Sequence, residues 1–335
     1  MKLQKKIIFS TCVILLSVMF VQCDEAYLDL FPRFIADISQ LKDMESQFPD
    51  SSTSFDLSVF DSYGKTCICI VQIIPDKENK LVVLTGDFDV LFTGSSAGFG
   101  RVLMNESDST VLRFVCGRDY VMYDMVARSL TITPRVYPDT GDFVIARTGN
   151  SGEYVMYRTV WDLGYNQTSF ERYNYSTLAG PPATATNTFY FGQPGVYYAA
   201  ELGFYFTDYS YDPDFDIPAV LLRNTRTNEG IIMVEPYELS TQYFLPPIIP
   251  GGAQKTNYGG GDMVLEHTDG YIRSHGLYYD FMYSMLNIYQ QHDQIPASQF
   301  SGYKLGYSMN SMYVFNTSGK QIYRTTPWWQ HKDDG

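Results

Sequence analysis

The sequence predicts an all-β protein built from antiparallel meanders and arranged like a β-propeller, with a β-sandwich pair as the alternative. Three observations carry this. From Lys65 onward, short apolar segments of strand type follow one another with turn residues between them and hardly a helical period among them. The 335 residues include 28 Tyr and 22 Phe, types that suit pleated, half-buried strands. The tetrapeptide Tyr-Val-Met-Tyr occurs twice, at 120–123 and 154–157, with a looser echo in "SMYVFNTSGKQIYR" (311–324). Self-similarity at a spacing of a few tens of residues marks propellers and solenoids, and blades of about 40–50 residues would use the chain in about six or seven units.

The first residues set an address. Lys2, Lys5 and Lys6 precede the apolar run "IIFSTCVILLSVMF" (7–20), and Val21 and Cys23 are small residues suited to cleavage after Cys23. Residues 1–23 thus read as a secretory signal peptide, too short in their apolar run for a membrane span. Residues 24–60 form a distinct helical and polar segment. In "PRFIADISQLKDMESQF" (32–48), Ile35, Ile38, Leu41, Met44 and Phe48 recur at helical spacing, behind a proline that suits a first helical turn.

The all-β domain is expected over 61–330, with a frayed tail at 331–335. Its hairpins are read from paired strand patterns. "TCICIVQII" and "KLVVLTGD" flank "PDKEN", "VLM" and "TVLRFV" flank "NESDS", and "SLTITPRV" and "DFVIART" flank "YPDTG". Further on, "AVLLRNT" and "GIIMVEPY" flank "RTNE", and "SMYVFNT" and "KQIYRTT" flank "SG". Two stretches read as loops: "AGPPATATNT" (179–188) and the Pro- and Gly-rich "LPPIIPGGAQKTNYGGGD" (245–262). The second is taken as an excursion over one face, or as a domain linker. Strand alternation puts Tyr120 and Met122 on one face and Val121 and Tyr123 on the other.

Charge and cysteine usage narrow the function. The formal charge is −13, and loss of 1–23 removes three lysines and no acid, giving −13 − 3 = −16. That excludes a phosphate-reading nucleic-acid protein and an anionic membrane surface as partners. Four sequons, at Asn105, Asn166, Asn174 and Asn316, agree with a secreted glycoprotein. After cleavage Cys67, Cys69 and Cys116 remain. Cys67 and Cys69 share one strand face, so Cys116 is expected to form a disulfide with one of them and leave the other as a buried thiol.

Candidate chemistry is sparse. "GSSAG" (94–98) matches the nucleophile-elbow pattern with Ser96 central, but the following Gly98-Phe99-Gly100 does not start a helix, so a hairpin loop is the expectation and a serine hydrolase the alternative. Asp208, Asp212, Asp214 and Asp216 place oxygen ligands in the manner calcium prefers, although Ile217 and Arg223 stand where an EF-hand needs Gly and Glu. All four histidines, His267, His275, His292 and His331, fall in the last quarter, in no known metal-ligand frame; His267 and His275 are expected on opposite sides of a turn. Trp328 and Trp329 either stack on a sugar or dock the C-terminus. The reading is therefore a secreted, N-glycosylated, acidic binding or matrix protein without catalytic activity. Its expected partner is an extracellular protein or glycan; no cofactor is required, and calcium is the candidate ion. A serine hydrolase using Ser96 and a calcium- or mineral-associated matrix protein are the alternatives.

Overall fold

Short strands with alternating patterns can hide only one face each, so they must stack, and here the stack closes into a ring. In a computed structural model, residues 38–48, 54–62, 64–135, 143–149, 153–175, 177–180, 187–191, 194–208, 212–235, 241–257, 260–280, 283, 285–290, 294–308 and 310–327 are described. Among the described residues the first strand is β1 (Gln40–Asp43), and 24 further strands follow. Blade one is β2 (Ser54–Ser62), β3 (Lys65–Ile73), β4 (Asn79–Thr85) and β5 (Val90–Ser96). Blade two is β6 (Val102–Asn105), β7 (Val111–Cys116), β8 (Asp119–Asp124) and β9 (Ser129–Pro134). Blade three is β10 (Phe143–Arg147), β11 (Tyr154–Asp162), β12 (Gln167–Tyr175) and β13 (Asn187–Phe191). Blade four is β14 (Tyr198–Asp208), β15 (Asp212–Asn224), β16 (Gly230–Val234) and β17 (Thr241–Leu245). Blade five is β18 (Ile248–Asn257), β19 (Gly260–His267), β20 (Tyr271–Asp280) and β21 (Met285–Gln290), with the short β22 (Ile295–Pro296) also on β20. Blade six is β23 (Tyr303–Tyr307), β24 (Met312–Asn316) and β25 (Gln321–Thr325), completed by β1.

Every pairing is antiparallel and runs in chain order within its sheet, apart from β1 and β22. The first strands of the blades, β2, β6, β10, β14, β18 and β23, approach one another around a common axis. The protein is a six-bladed β-propeller. The inner strands meet so closely that side chains are excluded. A Cβ on Gly203 of β14 would sit 2.1 Å from the Ile145 carbonyl oxygen of β10, and one on Gly306 of β23 would sit 2.5 Å from Val59 of β2. The Arg101 guanidinium donates to the Ala253 carbonyl, tying blade two to blade five on the opposite side of the ring.

Interfaces between neighbouring blades hold the core. Blades one and two share Phe60, Cys67, Cys69, Val71, Phe92, Phe114, Cys116 and Tyr123. Blades four and five share Phe204, Phe206, Leu221, Ile232, Met263, Leu265 and Tyr279. The repeated tetrapeptide has its place here. Tyr120 and Met122 of blade two and Tyr154 and Met156 of blade three face each other in one cluster, while Val121 and Tyr123, like Val155 and Tyr157, turn the other way. The predicted alternation holds. The copies are not equivalent strands, since β8 is third in its blade and β11 second; they are two sides of one interface. The Tyr120 hydroxyl donates to Glu106 Oε1 at 2.8 Å, and Tyr154 bonds the same carboxylate. Burial, then the Glu106 charge, raises both phenols above their ordinary range.

Several sequence expectations are corrected. Residues 40–43 form an edge strand, and only Glu45–Gln47 make a 3₁₀ turn, so the helix predicted over 32–48 is absent from its described part. Leu41 is exposed while Met44 and Phe48 are fully buried: pairing to β25 and docking of the last two residues decide this segment, not a helical stripe. Residues 40–43 and 54–62 pair within the sheets of blades six and one. The stretch 245–262 is neither a linker nor a loop excursion; it contains β18, the innermost strand of blade five, whose bulge falls between Ile248 and Ala253. "SLTITP" and "FVIAR" do not pair with each other, because β9 closes blade two and β10 opens blade three. The signal peptide (1–23), Trp328, Trp329 and the tail lie outside the described residues.

The ring is closed between blades six and one. The β1 strand pairs with β25 from Gln40↔Arg324 to Asp43↔Gln321. Phe48 then inserts edge-on between Phe55 and Phe315, with centroids 5.3 and 5.9 Å away, and those two rings are 5.2 Å apart. The Lys320 ammonium donates to the Phe48 carbonyl. A Phe48→Ala variant should therefore lose about 3–5 kcal/mol of unfolding free energy. Urea denaturation monitored by tryptophan fluorescence measures this, and a loss under about 1 kcal/mol would show that the aromatic wedge does not hold the ring shut.

Candidate functional site

A cleft of about 400 Å³ opens between blades five and six and reaches blade one. Its floor is apolar because alternate residues of β19 and β20 face blade six: Val264 of β19 and Ile272 of β20 pack with Phe300, Tyr307, Met312 and Val314. Its walls are mixed. Blade five brings Gln254 and Glu266, blade six brings Tyr303, Lys304 and Tyr307, and blade one brings Asp56. Ser298 and Ser301, from the turn that follows β22, complete the rim.

The backbone shapes this cleft. Gly251 has φ +69° and donates its N–H to Glu201 Oε2 at 2.8 Å, which anchors the β18 bulge to blade four. A Cβ on Gly252 would stand 2.6 Å from Ile249 and 3.0 Å from the Glu266 Cβ, so glycine leaves the Glu266 side chain its room. Gln254 Nε2 donates to the Leu305 carbonyl at 2.6 Å, leaving its oxygen as the group able to accept from a ligand. Burial raises the Glu266 carboxyl, and the Lys304 ammonium opposes that shift. Tyr307 is raised well above its ordinary range by burial and by the Glu266 charge. Donors, acceptors, the carboxylates of Asp56 and Glu266, the Lys304 ammonium and an aromatic wall thus converge on one concavity.

The residues singled out from sequence are scattered around the ring. Ser96 ends β5, and a turn, not a helix, follows it. Its Oγ accepts the Gly98 N–H at 3.1 Å. The glycines of that motif serve packing between blades: a Cβ on Gly98 would sit 2.6 Å from Asp119 Oδ2, and the Gly98 carbonyl accepts the Arg118 N–H at 2.7 Å. His267 and His275 lie in blade five. As expected they lie on opposite sides of the turn at 268–270, yet they share one face of the sheet, with His275 opposite Met263, and their Nε2 atoms are 3.4 Å apart. Asp208 and Asp212 pair at the end of the β14–β15 hairpin. Asp216 is buried, bonded by the Thr207 hydroxyl at 2.7 Å and paired with the Arg147 guanidinium at 3.2 Å. Among the described residues no group of three or more His, Cys, Asp or Glu is arranged to hold a metal ion.

Cys67, Cys69 and Cys116 do meet in the interface of blades one and two, but as free thiols rather than as the expected disulfide. Cys116 Sγ donates to the Gly100 carbonyl at 3.0 Å, which turns it toward backbone. Burial pushes Cys67 and Cys116 up to about 12. Asn166 is exposed in the β11–β12 turn and Asn174 is exposed on β12. Asn105 is half-buried on the innermost strand of blade two, and the Asn316 side-chain oxygen accepts from the Ser318 and Gly319 N–H groups.

Sequence reasoning missed most of the cleft. Gln254 lies in the stretch 245–262, but Asp56, Glu266, Tyr303 and Lys304 carry no local signature and converge only because blades five, six and one are neighbours.

One more ionisable group stands out. Lys255 of β18 is buried between blades four and five, with Nζ 5.4 Å from the Phe204 ring centroid. Burial lowers it to about 7, opposed by Asp262. The folded chain therefore releases this proton while the unfolded chain keeps it up to about pH 10.4. The destabilisation is fully present below pH 7 and fades as pH rises toward 10.4. A Lys255→Met variant should be more stable than the parent by about 3 kcal/mol at pH 7, with the difference shrinking toward pH 10. Denaturation curves across that range check it, and a pH-independent difference would assign the effect to packing.

No family model matches the chain, and no curated protein matches it in sequence. Solved structures are similar in shape only. The six-bladed β-propeller lectin of Aleuria aurantia, described with a fucose recognition mode, is 11% identical, with a TM-score of 0.44 over 82% of this chain and 91% of that one. AofleA from Arthrobotrys oligospora is 10% identical, with a TM-score of 0.43 and 86% of each chain covered. Kluyveromyces lactis Hsv2 is 6% identical, with a TM-score of 0.32 over 73% of this chain and all of that one. The fold assignment rests on the strand order of the six sheets.

Proposed function

We propose that this propeller is a non-catalytic binding protein whose cleft between blades five and six holds a sugar residue of a glycan. The observation that carries this reading is the lining of the cleft. A sugar offers hydroxyls that both donate and accept, and an apolar ring face. The cleft offers Glu266 and the Gln254 oxygen as acceptors, Lys304 and serine hydroxyls as donors, and Tyr303 beside an apolar floor. A glycan-array screen followed by calorimetry with a selected oligosaccharide tests it. Glu266→Gln, Tyr303→Ala and Lys304→Ala should each weaken binding by roughly tenfold or more, the cost of leaving buried polar partners unpaired. Binding that survives all three substitutions would overturn the site, and a blank array would overturn the ligand class.

The same reading includes export through the signal peptide and N-glycosylation. Exposure favours Asn166 and Asn174 as acceptors over Asn105, which sits on an innermost strand, and over Asn316, whose side chain is engaged in its turn. Expression in a secretory eukaryotic host should yield protein in the medium that shifts in mobility on N-glycosidase treatment. Asn166→Gln and Asn174→Gln together should remove most of that shift; retention of the full shift would assign the glycans elsewhere.

A further inference from the structure

The histidine pair of blade five has a geometry that the sugar cleft does not use. His267 ends β19 and His275 lies in β20, and both turn toward blade four, whereas Glu266 turns toward blade six. Their Nε2 atoms face each other at 3.4 Å, with the rings inclined at 62°. As an N–H···N hydrogen bond this contact is long beside the about 2.7–3.2 Å of N–H···O bonds. Two nitrogens each about 2.0–2.1 Å from a tetrahedral zinc ion stand about 3.3 Å apart. The gap is long for the first arrangement and matches the second.

The surroundings prepare the nitrogens as ligands. His267 Nδ1 is 3.2 Å from the Pro247 carbonyl oxygen. A carbonyl can only accept, so Nδ1 carries the proton and Nε2 presents its lone pair. This is the backbone support that orients metal-bound imidazoles. Burial lowers both histidines, with Arg273 adding to it at His267 and the neighbouring ring and then Arg273 at His275. The Arg273 charge would oppose a cation, but its guanidinium is held by the Asp269 carboxylate through two bonds, at 3.1 and 2.5 Å. The His275 ring retains 8% exposure against 2% for His267, which makes it the side from which an ion enters.

We propose that His267 and His275 form a two-imidazole site for a divalent transition ion of zinc type, with both Nε2 atoms as ligands and water in the remaining positions. Two protein ligands make a site of modest affinity, one that occupies an existing gap rather than one on which folding depends.

Calorimetric titration of the full chain with zinc chloride at pH 7.5 tests this, with nickel chloride as a second probe. The expected result is one ion per chain. Binding should weaken by at least about tenfold in His267→Gln and again in His275→Gln, with unchanged far-ultraviolet circular dichroism. His292→Ala and His331→Ala, which remove the chain's other two histidines, should leave it unaltered. Should a glutamine variant misfold, diethylpyrocarbonate protection decides: zinc should shield two histidines in the parent chain. Zinc binding that persists in both glutamine variants, or an absence of saturable binding and of shielding in the parent, would overturn the site.

Discussion

The ring depends on one junction. Each blade hides only part of its apolar surface inside itself and needs a neighbour on either side, so an open ring would leave two faces wet. Blade six supplies three strands of its own, and β1, from the other end of the described chain, supplies the fourth. Four backbone partners alone are a weak latch. The Phe48, Phe55 and Phe315 rings, drawn from the N-terminal segment, blade one and blade six, make closure a burial event as well.

Closure also sets the centre. With six first strands drawn to one axis, Gly203 is required where it touches the β10 backbone and Gly306 where it meets the Val59 and Leu57 side chains, and Arg101 spans to the far side. Binding chemistry is therefore placed between blades. The cleft of blades five and six is open because the β18 bulge at Gly251 and Gly252 pulls the strand away from a full ladder and is tethered outward to Glu201. The same residues that widen the cleft position Glu266. In blade five, alternation along β19 separates two chemistries by one residue: Glu266 faces the sugar cleft and His267 faces the histidine pair.

Polar groups within the interfaces are joined rather than isolated. Glu106 takes both tyrosines of the repeated tetrapeptide, Arg147 takes Asp216, and Arg223 takes Glu201 at 2.7 Å. In a low-dielectric interface such groups must be satisfied together; Glu106 and Arg147 join strands of different blades, and Arg223 joins the adjacent strands β15 and β14. Lys255 is the costly member of this set, since burial beside the Phe204 ring disfavours its charge more than Asp262 favours it.

By itself the sequence determined the strand class, most hairpins, the alternation of Tyr120 to Tyr123 and the co-facial placement of Cys67 and Cys69. These depend on period-two patterning and turn residues, which act over a few positions. The recurrence of Tyr-Val-Met-Tyr did not mark equivalent strands: the copies are facing partners of one interface. What only the tertiary structure decided depends on partners distant in the chain. The segment 40–48 has a helical stripe, yet pairing with β25 across some 280 residues makes it a strand. The glycine- and proline-rich 245–262 looks like a loop, yet its neighbours around the axis need a strand without bulk. The cleft draws on Asp56, Glu266 and Lys304, and nothing local marks them, because a site between blades exists only once the ring has closed.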